Sequence, residues 1–440
     1  MSIKIIYKIF IDAVRSAHSQ NLIPKYIQSD EGSITIAGKS IQKKSIGKLI
    51  VIACGKASAA MAHETVDILG DITRDGVCVT KYGHALPLKK IEIIEAAHPY
   101  PDQRSIKAGS IILDKISSLG ENDFVLLLLS GGASSLMADA PDGCTIEDIQ
   151  QLNKLLVNSG ATINEINIVR KHVSKLKGGH LSKLIYPAAV FSLIISDVPG
   201  NNLEDIASGL TVADPSTYEN AFLILQKYSL ISTIPISVFQ HLNRGRKGLI
   251  EETPKPGSKY FSKTFNTIIA SNQTALDAAA VSAKKAGFQV IQITEFLQGD
   301  TMQTARQISD FLLEYNGNFP VCFLWGGETT IRVSGKGFGG RNQHLALCIL
   351  HELKEKWNRT ESFTILCAGT DGTDGPTDAA GAIINSEMLE QKDFTNESIE
   401  SCLNEFNSYT FFKRHGGLIF TGPTQTNVMD VMIAILDTNV

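Results

Sequence analysis

The sequence predicts an α/β protein of two domains built on parallel strands, and three observations carry that prediction. At 440 residues the chain exceeds what one hydrophobic core usually supports. One local pattern recurs along it: a short apolar, β-branched run, a Gly-rich turn, then a helical segment. A charged stretch with Pro and Gly and no periodicity, residues 243–263, separates two series of that pattern. The first domain is therefore expected at residues 1–245 and the second at 264–440.

The chain opens on an amphipathic helix, MSIKIIYKIFIDAVRSAHSQNL, with charges throughout and neither an apolar core segment nor a cleavage signal. The strand–turn–helix pattern follows at LIVIACGKASAAMAHE (49–64), FVLLLLSGGASSLMA (124–138) and FSLIISDVPG (191–200). It returns at FNTIIASNQTALDAAAVSAKKAGF (265–288), VCFLWGGETT (321–330) and FTILCAGTDGTDG (363–375). Apolar runs without alternation mark strands buried on both faces, as in parallel sheets. Strands alternating with helices give βαβ units. Ligands bind beyond the carboxyl ends of such strands, so the turns are where chemistry is expected.

Composition excludes several classes. A net charge of −4 gives no broad attraction to nucleic acid or anionic membrane, so an anion must be held by a few local cations. No apolar run approaches a membrane span. The seven Cys include no pair within four residues, which rules out a zinc-type pair and reads as reduced thiols. A cytoplasmic location is the expectation.

In the N-terminal half, Gly55-Lys56 ends the first strong strand and opens a helix, where backbone N–H groups and a Lys can hold an anion. It is not a Walker A loop, since Ile50 and Ala57 stand where Gly and Ser or Thr are required. Ser130-Gly131-Gly132-Ala133-Ser134-Ser135 ends the most apolar strand. Its glycines admit close backbone approach, and its hydroxyls can donate to phosphate or carboxylate. Arg170, Lys171, Lys175 and Lys177 crowd a helix expected to end at Gly178-Gly179, with Arg170 and Ser174 on one face. Such a run is usually a solvated face. Asp197 stands directly after a strand, where an acid serves as base or metal ligand, or simply starts a turn.

The C-terminal half carries GGETTIRVSGKGFGGRNQ (326–343). Glu328 lies on a turn, a short strand IRVS is expected, and Gly335, Lys336, Gly337, Gly340 and Arg341 then open a helix as an anion cradle. Gly335, Gly337 and Gly340 match G-x-G-x-x-G formally, but no acid ends the next strand, which disfavours a dinucleotide site. GTDGTDGPTDAAG (369–381) sets Asp371, Asp374 and Asp378 on one loop after a strand. Carboxylates with flanking Thr oxygens suit Mg²⁺.

Together these segments resemble the glycerate 2-kinase family whose C-terminal half is called the MOFRL domain. ACGKAS, LLSGGASS, NIVRKHVSKLKGG, SDVPGNN, ASGLTVADPST, GGETT, GKGFGGRNQ, GTDGTDGPTDAAGA and TGPTQTNV match in the family's order over residues 53–428. The resemblance implies a Rossmann-like N-terminal domain with a smaller α/β C-terminal domain, and a site in the cleft between them. It implies transfer of the γ-phosphoryl group of ATP to the C2 hydroxyl of D-glycerate. The family's functional Lys, strand-end Asp and GGRNQ Arg fall on Lys56, Asp197 and Arg341. His180, Leu210 and His344 depart from the family's usual Arg, Pro and Glu.

Phosphoryl transfer then needs positioning and charge neutralisation. Lys56 and Arg341 would neutralise phosphoryl or carboxylate, Asp197 would orient the hydroxyl proton, and Mg²⁺ would sit on Asp371, Asp374 or Asp378. Gly55, Ser130, Gly131, Gly132, Ser134, Arg170, Lys175, Glu328, Lys336, Gly337 and Gly340 complete the expected substrate and nucleotide contacts. Glycerate and ATP are the expected partners, with a homo-oligomer possible and neither nucleic acid nor membrane. Members of the family also carry the label hydroxypyruvate reductase, so a nicotinamide-dependent reductase is the alternative, with a non-catalytic sensor of small acids behind it.

Overall fold

A computed structural model of the protein describes residues 2–391 and 395–438. The chain forms two compact units: Ser19–Ile269, and Met1–His18 together with Ala270–Val440.

The first unit is built on a six-stranded sheet. Its strands are β1 (Leu49–Cys54), β2 (Thr73–Lys81), β3 (Glu92–Ala96), β4 (Phe124–Leu129), β5 (Ala189–Ile195) and β6 (Thr264–Ala270). They lie in the order β3-β2-β1-β4-β5-β6, and the first five are mutually parallel. The order reverses between β1 and β4, and that is where ligands of open α/β sheets bind. Every residue of β1 and β5 is buried, as expected of strands covered on both faces. Alternate residues Ile50, Ile52, Val77, Val79, Leu127 and Leu129 share one core with helix Gln103–Ile116.

A helical lobe adds Ile146–Asn158, Ile163–Lys171, Tyr218–Lys227 and Ile236–Arg246 around Leu152, Leu156, Val169, Leu225 and Leu242. Three of these helices start on Thr–x–x–acid/amide capping boxes, at Thr145, Thr162 and Thr217. A three-stranded antiparallel sheet over residues 27–42 completes the unit.

The second unit holds β7 (Gln289–Gln292), β8 (Val321–Gly327), β9 (Ser362–Gly369), β10 (Gly381–Asn385), β11 (Leu418–Ile419) and β12 (Asp430–Asp437). Their order is β7-β8-β12-β9-β10-β11. β12 runs antiparallel to both β8 and β9, so this sheet is mixed rather than parallel. Helices Thr301–Glu314 and Arg341–Lys356 supply its main core with Ile308, Leu345 and Ile349. Helices Ser2–Ser16 and Asn272–Lys285 pack on each other and on the sheet as well. Burial on both faces therefore makes antiparallel strands read as unbroken apolar runs.

Three expectations are corrected: the linker, the end of one helix and one strand. The compact units, by contrast, do not follow the division at 1–245 and 264–440 at either end. The N-terminal helix packs on Asn272–Lys285 in the second unit, and β6 is a strand of the first sheet. Residues 243–263 are no free linker, because Thr253 Oγ1 donates to buried Asp214 at 3.0 Å and Asp214 N donates to Pro254 O at 3.0 Å. The charge-rich helix ends at Lys171, not at Gly178. Ser174 Oγ accepts from Leu176 N and Lys177 N and donates to Asp139, which draws the backbone out of the helix. Residues 331–334, expected as a strand, are irregular.

Candidate active site

In the first unit the carboxyl ends of β1, β4 and β5 carry Gly55-Lys56, Ser130-Gly131-Gly132 and Asp197. β1 and β4 are knitted together there. Ser130 N donates to Cys54 O at 3.0 Å, Lys56 N to Gly131 O at 2.9 Å, and Ala57 N to Ser130 Oγ at 2.9 Å. Gly55, at φ +132°, leaves no room for a Cβ against Ser130. This corrects the expectation of a backbone anion cradle at Gly55-Lys56. The N–H of Gly55 goes to Val79 O, and those of Lys56 and Ala57 are used as just described. The turn holds half-buried Lys56 on a main chain fixed by these bonds.

A cavity of about 470 Å³ lies within this unit. Among its lining residues are five of the expected site residues: Ser130, Gly132, Ser134, Arg170 and Asp197. Arg170 Nε donates to Asn153 Oδ1 at 2.8 Å, and burial lowers its pKa from the usual guanidinium value. Ser134 Oγ lies 3.0 Å from Ser208 Oγ, which donates to Asn167 Oδ1 at 3.0 Å. Asn167 Nδ2 in turn donates to Asp205 at 3.0 Å, so a buried relay fixes the wall. The N–H groups of Gly132 and Ala133 donate to no acceptor among the described residues.

Lys175 is not part of this wall. Its Nζ pairs with Asp142 at 2.6 Å on the surface. Lys177 takes its place: it is 6% exposed, lines the cavity, donates to Met137 O at 3.1 Å and stands 3.8 Å from Asp139. Burial pulls its ammonium below the usual lysine range, against the pull of Asp139. Composition cannot tell the buried member of a Lys run from the exposed ones, which is why Lys175 rather than Lys177 stands among the expected contacts.

In the second unit the site is organised by a residue the motifs did not reveal. Asp430 starts β12 and pairs in register with Gly327, at the end of β8, and with Gly369, at the end of β9. With glycine on both sides, its side chain has room to receive Arg341, whose Nε and Nη2 donate to Asp430 at 2.6 and 2.8 Å. Arg341 Nη1 reaches Glu328 at 2.9 Å. Burial works against the guanidinium charge, but Asp430 and then Glu328 more than restore it and raise the pKa above the usual value. The sequence signal for Asp430 was only an acid directly before an apolar strand.

The three loop aspartates separate. Asp374 is fully buried and accepts from Asn342 N at 3.0 Å and Gln343 N at 2.8 Å, which satisfies the open donors at the start of helix Arg341–Lys356. Burial pushes its carboxyl up to about 7, against those two donors. Asp378 is exposed and accepts from Tyr409 Oη at 2.8 Å. Asp371 Oδ1 accepts from Thr373 N at 3.1 Å. Of the three expected as alternative Mg²⁺ ligands, Asp374 is thus turned to the helix start and Asp378 to Tyr409. Among the described residues, no group of three or more His, Cys, Asp or Glu is arranged to hold a metal. Asp371 and Asp430 do converge, each with an Oδ1 within 3.4 Å of where a Cβ on Gly369 would stand. Two carboxylates meeting at one glycine are a set Mg²⁺ can use, since it takes one or two of them plus phosphate oxygens.

The glycine run at 335–340 is corrected as well. Gly337 N donates to Glu405 O at 2.8 Å, Gly335 and Gly337 pack against Glu405, and Gly340 packs against Asp374. These glycines allow backbone to meet backbone, so the run is no open phosphate cradle. Lys336 is exposed on that loop. At the departures from the family pattern, His344 stacks on Phe406 at 5.1 Å, and burial holds it down at about 4. Burial also holds His180 at about 4, and Leu210 joins the core beside the first sheet.

Known proteins resemble the chain over nearly all of its length. Residues 5–243 match a family described as a domain of unknown function, DUF4147, and residues 321–430 match the MOFRL family. A glycerate 2-kinase from Pyrococcus horikoshii is 41% identical, over 97% of this chain and 95% of its own. A D-glycerate 2-kinase from Thermotoga maritima is 38% identical, over 90% of this chain and 93% of its own. The crystal structure of a Thermotoga maritima glycerate kinase, 36% identical, superposes with a TM-score of 0.83 and covers 98% of this chain and 99% of that one. The chain belongs to the glycerate 2-kinase family that joins a DUF4147 domain to a MOFRL domain.

Proposed function

We infer that this protein transfers the γ-phosphoryl group of ATP to the C2 hydroxyl of D-glycerate, giving 2-phosphoglycerate and ADP. The observation that carries the reading is near-full-length likeness to proteins named glycerate 2-kinase and D-glycerate 2-kinase. Both substrates are anions, and phosphoryl transfer is catalysed mainly by placing cations and holding the acceptor in line. Lys56 and Arg341 are the cations proposed for this. Arg341 is supported by its fixed pairing with Asp430 and Glu328, which aims the guanidinium. Asp197, at the end of β5 and lining the cavity, is proposed to accept the hydroxyl proton. Mg²⁺, when it accompanies ATP, would be held by Asp371 and Asp430 and would neutralise phosphate oxygens.

The reductase alternative has less support. Its one glycine signature, Gly335, Gly337 and Gly340, is packed against Glu405 and Asp374. The test is to mix protein, D-glycerate, ATP and Mg²⁺ and follow the phosphorus spectrum. ADP and a new phosphomonoester are expected. A parallel mixture of hydroxypyruvate with NADH or NADPH should show no oxidation. Steady cofactor oxidation without ADP would replace the kinase reading with the reductase. Silence in both, with glycerate still raising the melting temperature, would favour the sensor.

A further inference from the structure

We propose that the cavity of the first unit is the purine-nucleotide pocket, with the base at an apolar mouth formed by Tyr100, Val157 and Ile163 and the phosphates on Arg170 and Lys177. The proposal rests on the kinase reading for the need of a nucleotide, and deepens it by assigning the subsite.

Size is the first argument. A cavity of about 470 Å³ falls in the range of small-molecule and cofactor pockets, whereas a three-carbon acid would leave most of it empty. The second is its chemical grading. Ile163, Asn167 and Arg170 stand at i, i+4 and i+7 on one helix and all line the cavity, so one helix face runs from apolar to cationic over roughly 10 Å. That is the order of a nucleotide, from base through sugar to phosphate. Helix Ile146–Asn158 contributes Asn153 and Val157 to the same wall, and Asn153 holds the Arg170 guanidinium through Nε at 2.8 Å.

The third argument is apolar surface left open. Tyr100, Val157 and Ile163 are 52%, 48% and 59% exposed, and all three belong to this one cavity. A flat aromatic base is the kind of group that covers such a patch. The fourth is Lys177. Its buried ammonium has three donors, yet its closest acceptors are Met137 O at 3.1 Å and Asp139 at 3.8 Å. Asp139 is already engaged by Ser174 Oγ and Lys175 N. An anion in the cavity would complete the Lys177 shell, with Ser130 and Ser134 in the same wall.

The test titrates wild-type protein, Ile163→Glu and Lys177→Met with the fluorescent nucleotide N-methylanthraniloyl-ATP, without glycerate, and then measures KM for ATP and for glycerate. Ile163 is mostly exposed in the first turn of its helix, where a glutamate is favourable, so that variant keeps the fold. Both variants should weaken the nucleotide analogue and raise the ATP KM by about tenfold or more, with the glycerate KM held within about twofold. If Lys177→Met does not fold, Ile163→Glu alone decides. Unchanged nucleotide binding in Ile163→Glu, or a rise in the glycerate KM instead, overturns the assignment while the kinase reading stands. Displacement of the bound analogue by NADH but not by ADP also overturns it. If wild type binds the analogue but never phosphorylates glycerate, the acceptor is wrong, and loss of binding in Ile163→Glu still supports the pocket.

Discussion

Arg341 meets two carboxylates at once, and that decides what substitution should do. Arg341→Lys keeps the charge but loses the bidentate hold on Asp430, so kcat should fall by about 10²-fold or more. Arg341→Ala leaves Asp430, itself 2% exposed, without its guanidinium. Urea unfolding should show a loss of about 3 kcal/mol, the low end for a broken buried pair because the Arg side chain is 30% exposed. Lys56→Ala should lower kcat by a similar factor with the melting temperature nearly unchanged, because the turn is held by its main chain. Normal turnover in that variant would remove Lys56 from the site. Asp197→Asn should cost about 10²–10⁴-fold in rate, the usual range for acid–base help, and an unchanged rate would dismiss it as the base. Asp371→Asn should raise the Mg²⁺ needed for half-maximal rate, whereas Asp378→Asn should not. Equal Mg²⁺ curves would move the metal elsewhere.

The helix Arg341–Lys356 shows how a loop acid sets up a site it does not enter. Asp374 accepts two N–H groups at the helix start and so fixes the residue that precedes them, Arg341. Asp374→Ala should destabilise the protein by about 2–4 kcal/mol, because it leaves buried donors unpaired at a helix start. Its proton is held more tightly in the folded state, up to about pH 7, than in the unfolded chain. Between the usual carboxylate range and pH 7 the native state therefore binds more protons. The Asp374 contribution to stability should decline as pH rises through that window, and Asp374→Asn should flatten that part of the profile. Opposite curvature in urea midpoints against pH would contradict this.

The sequence showed an acidic loop here but not its division of labour. Spacing along a loop does not say which carboxylate turns inward, and the three acids face a helix start, Tyr409 and Gly369. The glycines at 335–340 misled for a related reason. Glycine marks close approach, and here the approaching group is the protein's own backbone at Glu405.

In the molecule as a whole, the strand–turn–helix rhythm was legible because the apolar runs are strands, all but Thr264–Ala270 largely buried, and the Gly turns stand at strand ends. Residues 49–54, 124–129 and 189–195 became neighbouring parallel strands, and their turns gather Lys56, Ser130 and Asp197 at the point where strand order reverses. What stayed hidden was partnership at long range. The antiparallel course of β12 between β8 and β9 leaves no local mark, so Asp430 was invisible as the partner of Arg341. The assignment of the N-terminal helix to the second unit was hidden in the same way, because an amphipathic pattern shows that a face is covered but not by what. Among the described residues, no helix is long and apolar enough to cross a membrane.

The claim most in need of direct measurement is transfer to the C2 hydroxyl of glycerate. Purified protein with D-glycerate, ATP and Mg²⁺ should be coupled to enolase, with no phosphoglycerate mutase present, and phosphoenolpyruvate followed by absorbance. Enolase accepts the 2-phosphate and not the 3-phosphate. The account predicts immediate phosphoenolpyruvate formation in step with ADP, absent in Arg341→Ala. ADP formation with no phosphoenolpyruvate until mutase is added would place the phosphate on the wrong hydroxyl and contradict it.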